Sequence, residues 1–265
     1  IPTIILFNHK KKTKLLFLIL TTLLLIANFF YGSTILKNNE KTNPRNLNFV
    51  IKIISPKIEI KRFFEDENPE KIISELVQLS KPNNIEKTIF IFPEGALTSV
   101  YLEDLKNYSY IFSENYSDRH KIIMGINSTE DKKVFNSMVV LDSNLNILAK
   151  YNKNKLVPFG EFLPFEKILK NIGLRVITNN YHSFSRGNQR EIIEIKREGS
   201  SLKILPLICY EIIYSGKLFE NQNFDLIINI SEDGWFGKSI GPNQHFAHSI
   251  LRAIESGKYI LRSAN

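Results

Sequence analysis

The sequence predicts a mixed α/β domain preceded by one membrane-spanning helix, and three observations predict it. Residues 15–32 read LLFLILTTLLLIANFFYG, without a charge, behind a cluster of lysines. From residue 48 onward, short runs rich in β-branched residues recur, with helical patterns between some of them. The 265 residues are 43% apolar, enough to bury a sizeable core and too apolar for a disordered chain.

The apolar stretch is at the lower end of the length that spans a bilayer core at about 1.5 Å per residue. A signal peptide shares its pattern of basic and then apolar residues. A retained helix fits better, because the chain opens on Ile1, the apolar IPTIILF precedes the lysines, and no small-x-small cleavage site follows. The expected organisation is the end of a preceding membrane segment at 1–8, a cytoplasmic basic loop at 9–14, a transmembrane helix at 15–32, a linker at 33–47 and one domain at 48–265. The chain reads as truncated at both ends. The positive-inside rule keeps the lysines cytoplasmic and puts the domain outside, in a bacterial periplasm or its equivalent.

Charge supports a membrane segment more than a nucleic-acid partner. Of the net +8, residues 1–47 carry +6, from seven Lys or Arg against Glu40. The remaining +2 leaves the domain without the concentrated basic face that phosphate neutralisation needs.

Within the domain, strands are expected at 48–55, 88–92, 121–126, 137–142, 146–151, 203–208, 225–230 and 258–263. Helices are expected at 68–80, with Pro69 near its start, and at 242–256. The Ser143-Asn144-Leu145 turn makes 137–142 and 146–151 a hairpin. In such a fold, side chains at the carboxyl ends of strands are where sites are built.

Three places put polar residues after strands in this way. IFIFPEGAL delivers Glu94, which taken alone reads as a cap or an ion-pair partner. YNKNKLVPFGEF offers Lys153, Lys155 and Glu161, and lone lysines are usually solvated. In LPLICYEIIY the apolar run ends at Cys209, the only cysteine. It reads either as a small buried hydrophobe or as a nucleophile activated by a carboxylate or an ammonium. Outside the cytosol an unpaired thiol must be buried or used. His245 and His248 share a helix face, but no third ligand has zinc-like spacing, so neither a metal nor a cofactor is expected. Gly-x-Ser-x-Gly and Gly-rich phosphate loops are missing, which excludes serine hydrolases and nucleotide enzymes.

Together, FPEGAL, YNKNKLVPFGEFLP, ICYE, DGWFGKSIGPNQH and RAIESGKYILRSAN resemble the carbon–nitrogen hydrolase (nitrilase) superfamily, and within it the apolipoprotein N-acyltransferase branch. The resemblance runs from about residue 50 to the last residue. It implies an αββα sandwich, Glu94 as general base, Lys153 as oxyanion stabiliser and Cys209 as nucleophile, with Glu161, Tyr210 and Glu211 in support. Lys153 is preferred to Lys155 because the family's lysine directly follows a Tyr-x pair, here Tyr151-Asn152, eight residues before Glu161. Also implied are a phospholipid acyl donor, a diacylated apolipoprotein acceptor and a place in the inner membrane; the other enzyme reading is an amidase acting on a small C–N bond. The chain departs from the family pattern at Phe92, Gly95 and Glu232-Asp233-Gly234, where Trp, Ala and Asn-Asp-Ala are usual.

One further segment invites two readings. Phe165, Ile168, Leu169 and Ile172 fall at helical spacing on one face, which either packs on the domain core or dips into the bilayer beside the site.

Overall fold

The computed structural model describes residues 11–39, 49–64, 68–171, 173, 175–176, 183–197, 200–216 and 223–265. Its residues group into two compact units, 1–47 and 48–265. The expected segment 1–8 and most of the linker lie outside the described residues.

In the first unit, helix α1 (Lys11–Asn39) runs past both ends of the apolar stretch. Gly32 alone does not stop it, since one glycine costs a helix only about 1 kcal/mol. Its side chains from Leu15 to Tyr31 are largely exposed, and over Lys11–Ile35 it is long and apolar enough to cross a bilayer. The hydroxyls of Thr21, Thr22 and Thr34 donate to the carbonyls four residues earlier, so they need no water.

The second unit is a two-sheet sandwich with helices outside. The first sheet has the order β1 (Val50–Ile53), β2 (Thr88–Ile91), β4 (His120–Glu130), β5 (Lys133–Leu141), β6 (Ile147–Asn152), with β3 (Leu97–Tyr101) paired to β4. Strands β1, β2 and β4 are parallel, and β4–β5–β6 is an antiparallel meander. The second sheet has the order β10 (Tyr259–Ala264), β9 (Leu226–Ser231), β8 (Ser200–Ile208), β7 (Ile193–Arg197), with only β7 antiparallel.

Strands buried on both faces read as near-continuous apolar runs, and Thr88–Ile91 and Leu226–Ser231 do so. Between the sheets, Ile91, Ile123, Met138 and Val140 pack on Ile204, Ile208, Ile228 and Ile230. On the outer face of the first sheet lies α2 (Pro69–Ser80), which buries Ile72, Ile73, Leu76 and Val77 and starts where the Asn68 side chain accepts from Glu70 N at 2.9 Å. Helix α3 (Ser109–Asn115) adds Ile111 and Phe112 to that layer. The expected hairpin forms: Asp142 accepts from the backbone of Asn144 and Asn146, and Leu145 takes φ 60° in the turn.

Strands β3 and β7 and helix α3 were not among the expected elements. They are short, and β3 and β7 each pair on one side only, so their burial is partial and their alternation short. Helix α5 (Gly241–Ser256) buries His245, Ser249 and Arg252 and turns Phe246, Ile250, Leu251 and Ile254 outward.

Helix α4 (Glu166–Asn171) bears on the segment with two readings. Phe165 is 81% exposed and Ile168 65%. The reading in which this face packs on the core is therefore overturned for Phe165 and Ile168, whereas Leu169 is half-buried; Ile172 lies outside the described residues.

Candidate active site

Glu94 follows β2, Lys153 follows β6 and Cys209 follows β8, so one sheet supplies the carboxylate and the ammonium and the other supplies the thiol. All three are buried. Lys153 Nζ lies 3.1 Å from Glu94 Oε1 and 2.9 Å from Glu161 Oε1. Asn136, on β5, donates through Nδ2 to the same two oxygens at 2.7 and 2.9 Å. The remaining oxygens are also satisfied: Glu94 Oε2 accepts from Glu232 N at 3.0 Å and Glu161 Oε2 from Val157 N at 2.9 Å. The Cys209 thiol is near enough to the Glu94 carboxylate and the Ser231 side chain for both to act on its ionisation.

Burial alone would neutralise these groups, and their mutual attraction decides otherwise. Desolvation pushes the Glu94 carboxyl up, but Lys153 and Asn136 outweigh it and hold it below its ordinary range. Desolvation pushes Lys153 down, but Glu161 and Glu94 outweigh it and keep the ammonium charged well above its ordinary range. Burial raises the Cys209 thiol far above its ordinary value, and Glu94 raises it further. The resting state is therefore carboxylate, ammonium and neutral thiol. A buried base facing a protonated nucleophile couples proton removal to bond formation with an electrophile.

The backbone around the cluster is held close. Cys209 has φ 46°, a left-handed conformation that costs a non-glycine residue about 1–2 kcal/mol. Across the site, Gly125 on β4 lets the Glu94 backbone pass, since a Cβ there would lie 2.6 Å from Glu94 Cα.

Glu211 joins the two loops that carry Lys153 and Cys209. Its Oε1 accepts from the Tyr151 hydroxyl at 2.7 Å and from the backbone of Asn154 and Lys155 at 3.1 and 3.0 Å; its Oε2 accepts from Ile208 N at 3.0 Å. Arg190 pairs with it at 3.2 Å and stacks over the Tyr151 ring. Tyr210 is half-exposed, its ring packed edge-on against Tyr214 with centroids 5.7 Å apart. Lys155 is exposed, its Nζ 5.9 Å from the Tyr214 ring centroid.

Several residues here were not singled out from the sequence. Asn136 and Arg190 carry no local signal that sets them apart from other polar residues. His245, weighed only as a metal ligand, instead has Nε2 3.2 Å from the Cys209 carbonyl oxygen and Nδ1 2.8 Å from Asp233 Oδ1. Asp233 is bound in turn by Arg262 at 2.7 and 2.9 Å and by Ser231 at 2.7 Å. Burial would raise the Asp233 carboxyl, but His245 and Arg262 outweigh it and hold it at about 2. Glu232, a departure from the family pattern, is matched by buried Arg62 at 3.1 Å and by Asn265. Among the described residues no group of three or more His, Cys, Asp or Glu is arranged to hold a metal ion.

The chain matches the carbon–nitrogen hydrolase family over residues 89–265. The apolipoprotein N-acyltransferase of Rhizobium rhizogenes is 32% identical over 228 residues, which are 82% of this chain and 42% of the relative. That of Vibrio parahaemolyticus is 35% identical over 191 residues, 69% of this chain and 37% of the relative. The chain thus spans less than half the length of these curated relatives. A CN-hydrolase superfamily protein from Xanthomonas campestris, solved with an arsenic adduct in its active site, superposes with a TM-score of 0.52 at 15% identity. It covers 81% of this chain and 74% of its own, a likeness of fold. A family match over two thirds of the sequence, on the sandwich expected of that family, leads to one conclusion: this chain belongs to the carbon–nitrogen hydrolase family.

Proposed function

We propose that the chain is the catalytic part of a membrane-bound N-acyltransferase of lipoprotein maturation, with Glu94, Lys153 and Cys209 as its triad. The observation that carries this reading is the buried Glu94–Lys153–Glu161 cluster against the lone thiol. Helix α1 and the names of the relatives support the lipid substrates.

In the first half-reaction, Cys209 sulfur attacks an ester carbonyl of a phospholipid while Glu94 takes the thiol proton. The oxyanion is stabilised by the Lys153 ammonium and by a backbone N–H after Cys209. Collapse expels the lysophospholipid alkoxide, which recovers the proton from Glu94 and leaves a thioester. In the second half, the α-amine of an apolipoprotein's lipidated N-terminal cysteine attacks the thioester. Glu94 takes the amine proton and returns it to the departing sulfur. Glu161 keeps Lys153 charged and in place, Glu211 holds the two loops in register, and Tyr210 lines the approach. The enzyme would act in the bacterial inner membrane with its domain on the periplasmic side.

Mass spectrometry of the complete protein in its own membrane tests this. The expected result is an acyl adduct on Cys209 that disappears when acceptor lipopeptide is added, and no acylation by Cys209→Ala or Cys209→Ser. Near-normal turnover by Cys209→Ser would sink the reading. Release of ammonia from small amides, without any acyl adduct from phospholipid, would favour the amidase.

A further inference from the structure

Beside the loop that carries Lys153 is a cavity of about 420 Å³, within the size range of small-molecule sites. Its apolar lining includes Phe162, Leu163 and Phe184, the last two buried. Its polar lining includes two exposed cations, Lys155 and Arg186, and one acid, Glu166. Glu166 is committed elsewhere: it pairs with Lys170 at 2.8 Å and accepts from Ser183 at 2.9 Å. Among the described residues neither Lys155 nor Arg186 has a carboxylate within ion-pair distance, and Arg186 donates to Asn154 Oδ1 at 3.3 Å.

The cavity is also tied to the site. Asn154, next to Lys153, donates through Nδ2 to the carbonyls of Gly187 and Asn188, both at 2.9 Å, which fastens the Arg186 wall to the lysine loop. Lys155 Nζ lies over the ring of Tyr214, at the end of the turn that begins with Cys209.

We propose that this cavity is the subsite for the phosphodiester of the acyl donor, with Lys155 and Arg186 on the phosphate and the apolar floor under the adjoining glycerol and acyl carbons. This rests on the acyltransferase reading and adds to it. An arrangement of two cations over an apolar floor suits a group that is anionic at one end and aliphatic at the other. It disfavours the acceptor, whose α-amine is cationic until it reacts and would be repelled.

Two arms test it with the complete membrane protein. The first measures kcat/KM for thioester formation from phosphatidylglycerol and from a diacyl galactolipid with the same chains and no phosphate. In the double variant Lys155→Ala/Arg186→Ala the preference for the phosphate-bearing donor should fall about tenfold or more, equivalent to about 1.4 kcal/mol. Arg186→Glu should lower it further. Equal losses on both donors, or none on either, overturn the subsite.

The second arm needs no acyl transfer. Soluble glycerophosphoglycerol is titrated onto Cys209→Ala protein with and without the double substitution. Binding weakened about tenfold by the substitution supports the subsite, and equal binding or none overturns it. Headgroup binding without thioester formation from any phospholipid would instead defeat the acyltransferase reading and leave a phosphodiester site.

Discussion

His245 Nε2 lies 3.2 Å from the carbonyl oxygen of Cys209, 36 residues earlier in the chain. That carbonyl belongs to a residue with φ 46°, so the contact holds a backbone that would otherwise relax. On the other side of the ring, Nδ1 lies 2.8 Å from Asp233 Oδ1 and 3.1 Å from Arg262 Nη2, so the imidazole is held between the Cys209 carbonyl and the Asp233–Arg262 pair. Replacing His245 with Phe should lower the rate of thioester formation about tenfold at unchanged donor KM, and His245→Gln, which keeps a donor, should recover part of it. The rate of Cys209 alkylation by a small haloacetamide should follow the same order. Equal alkylation rates in all three proteins would mean that the contact does not position the thiol.

The two neighbouring lysines should separate sharply. Lys153→Ala leaves Glu94 and Glu161 facing each other without a cation and, in the proposed mechanism, removes the oxyanion donor. Turnover at saturating donor should fall by about 10²-fold or more, with a loss of stability of about 3–5 kcal/mol as for other broken buried pairs. Lys155→Ala should change saturated turnover little. Single-turnover rates, with thermal unfolding recorded alongside, distinguish chemistry from folding. The reverse order of effects would mean that the motif has been read two residues out of place.

Stability should decline at both ends of the pH range for opposite reasons. Glu94 and Asp233 have folded pKa values below their ordinary 4.5 and 3.8, so what they contribute is complete above those values and is lost as pH falls through the lower folded ones. Lys153 is raised above 10.5, so its contribution is complete below 10.5 and is lost as pH rises through the higher folded value. For Asp233 the window runs from 3.8 down to about 2. Denaturant unfolding of Asp233→Asn should show a shallower acid limb there than the parent protein. A slope unchanged in that window would show that the Arg262–Asp233–His245 network does not stabilise the fold.

The exposed Phe165 and Ile168 lead to a prediction about the bilayer. We propose that this edge, formed by the start of α4 and the residue before it, dips among the acyl chains and lets a chain leave the membrane without crossing water, which would cost about 0.8 kcal/mol per methylene. Spin labels at 165 and 168 in the membrane-embedded protein should be accessible to oxygen and shielded from a water-soluble relaxant, with a label at Ile85, 81% exposed, as the aqueous reference. Matching water accessibility at all three positions would exclude the contact.

Much of the architecture was legible along the chain because it depends on local patterns. Apolar strands, the Asp142–Leu145 turn and the uncharged helix each depend on residues within a few positions of one another. Glu94, Lys153 and Cys209 could be named as candidates for a related reason: Lys153 and Cys209 directly follow a strand and Glu94 comes three residues after one, each in a recognisable string of neighbours. The choice of Lys153 over Lys155 also came from its neighbours, and the fold places the first inside the cluster and the second at the surface.

What only the tertiary structure decided is how residues far apart in sequence share charge and hydrogen bonds. Asn136 comes 42 residues after Glu94 and 25 before Glu161, and the β4–β5–β6 meander brings it to both. Arg62 and Glu232, 170 residues apart, meet beside Glu94. His245 could be set aside as a metal ligand from the sequence but given no other partner, because the sequence shows its helical neighbour at 248 and not the carbonyl of Cys209. The face of α4 could be assigned to core or surface only when the sandwich filled its interior with other side chains and left Phe165 and Ile168 outside. Strand and helix propensities are read from nearby residues, whereas the partners of a buried charge are set by the packing of two sheets. The sequence by itself therefore determined which residues stand at the strand ends, and the packing of the sheets determined their protonation states and the contacts that hold them.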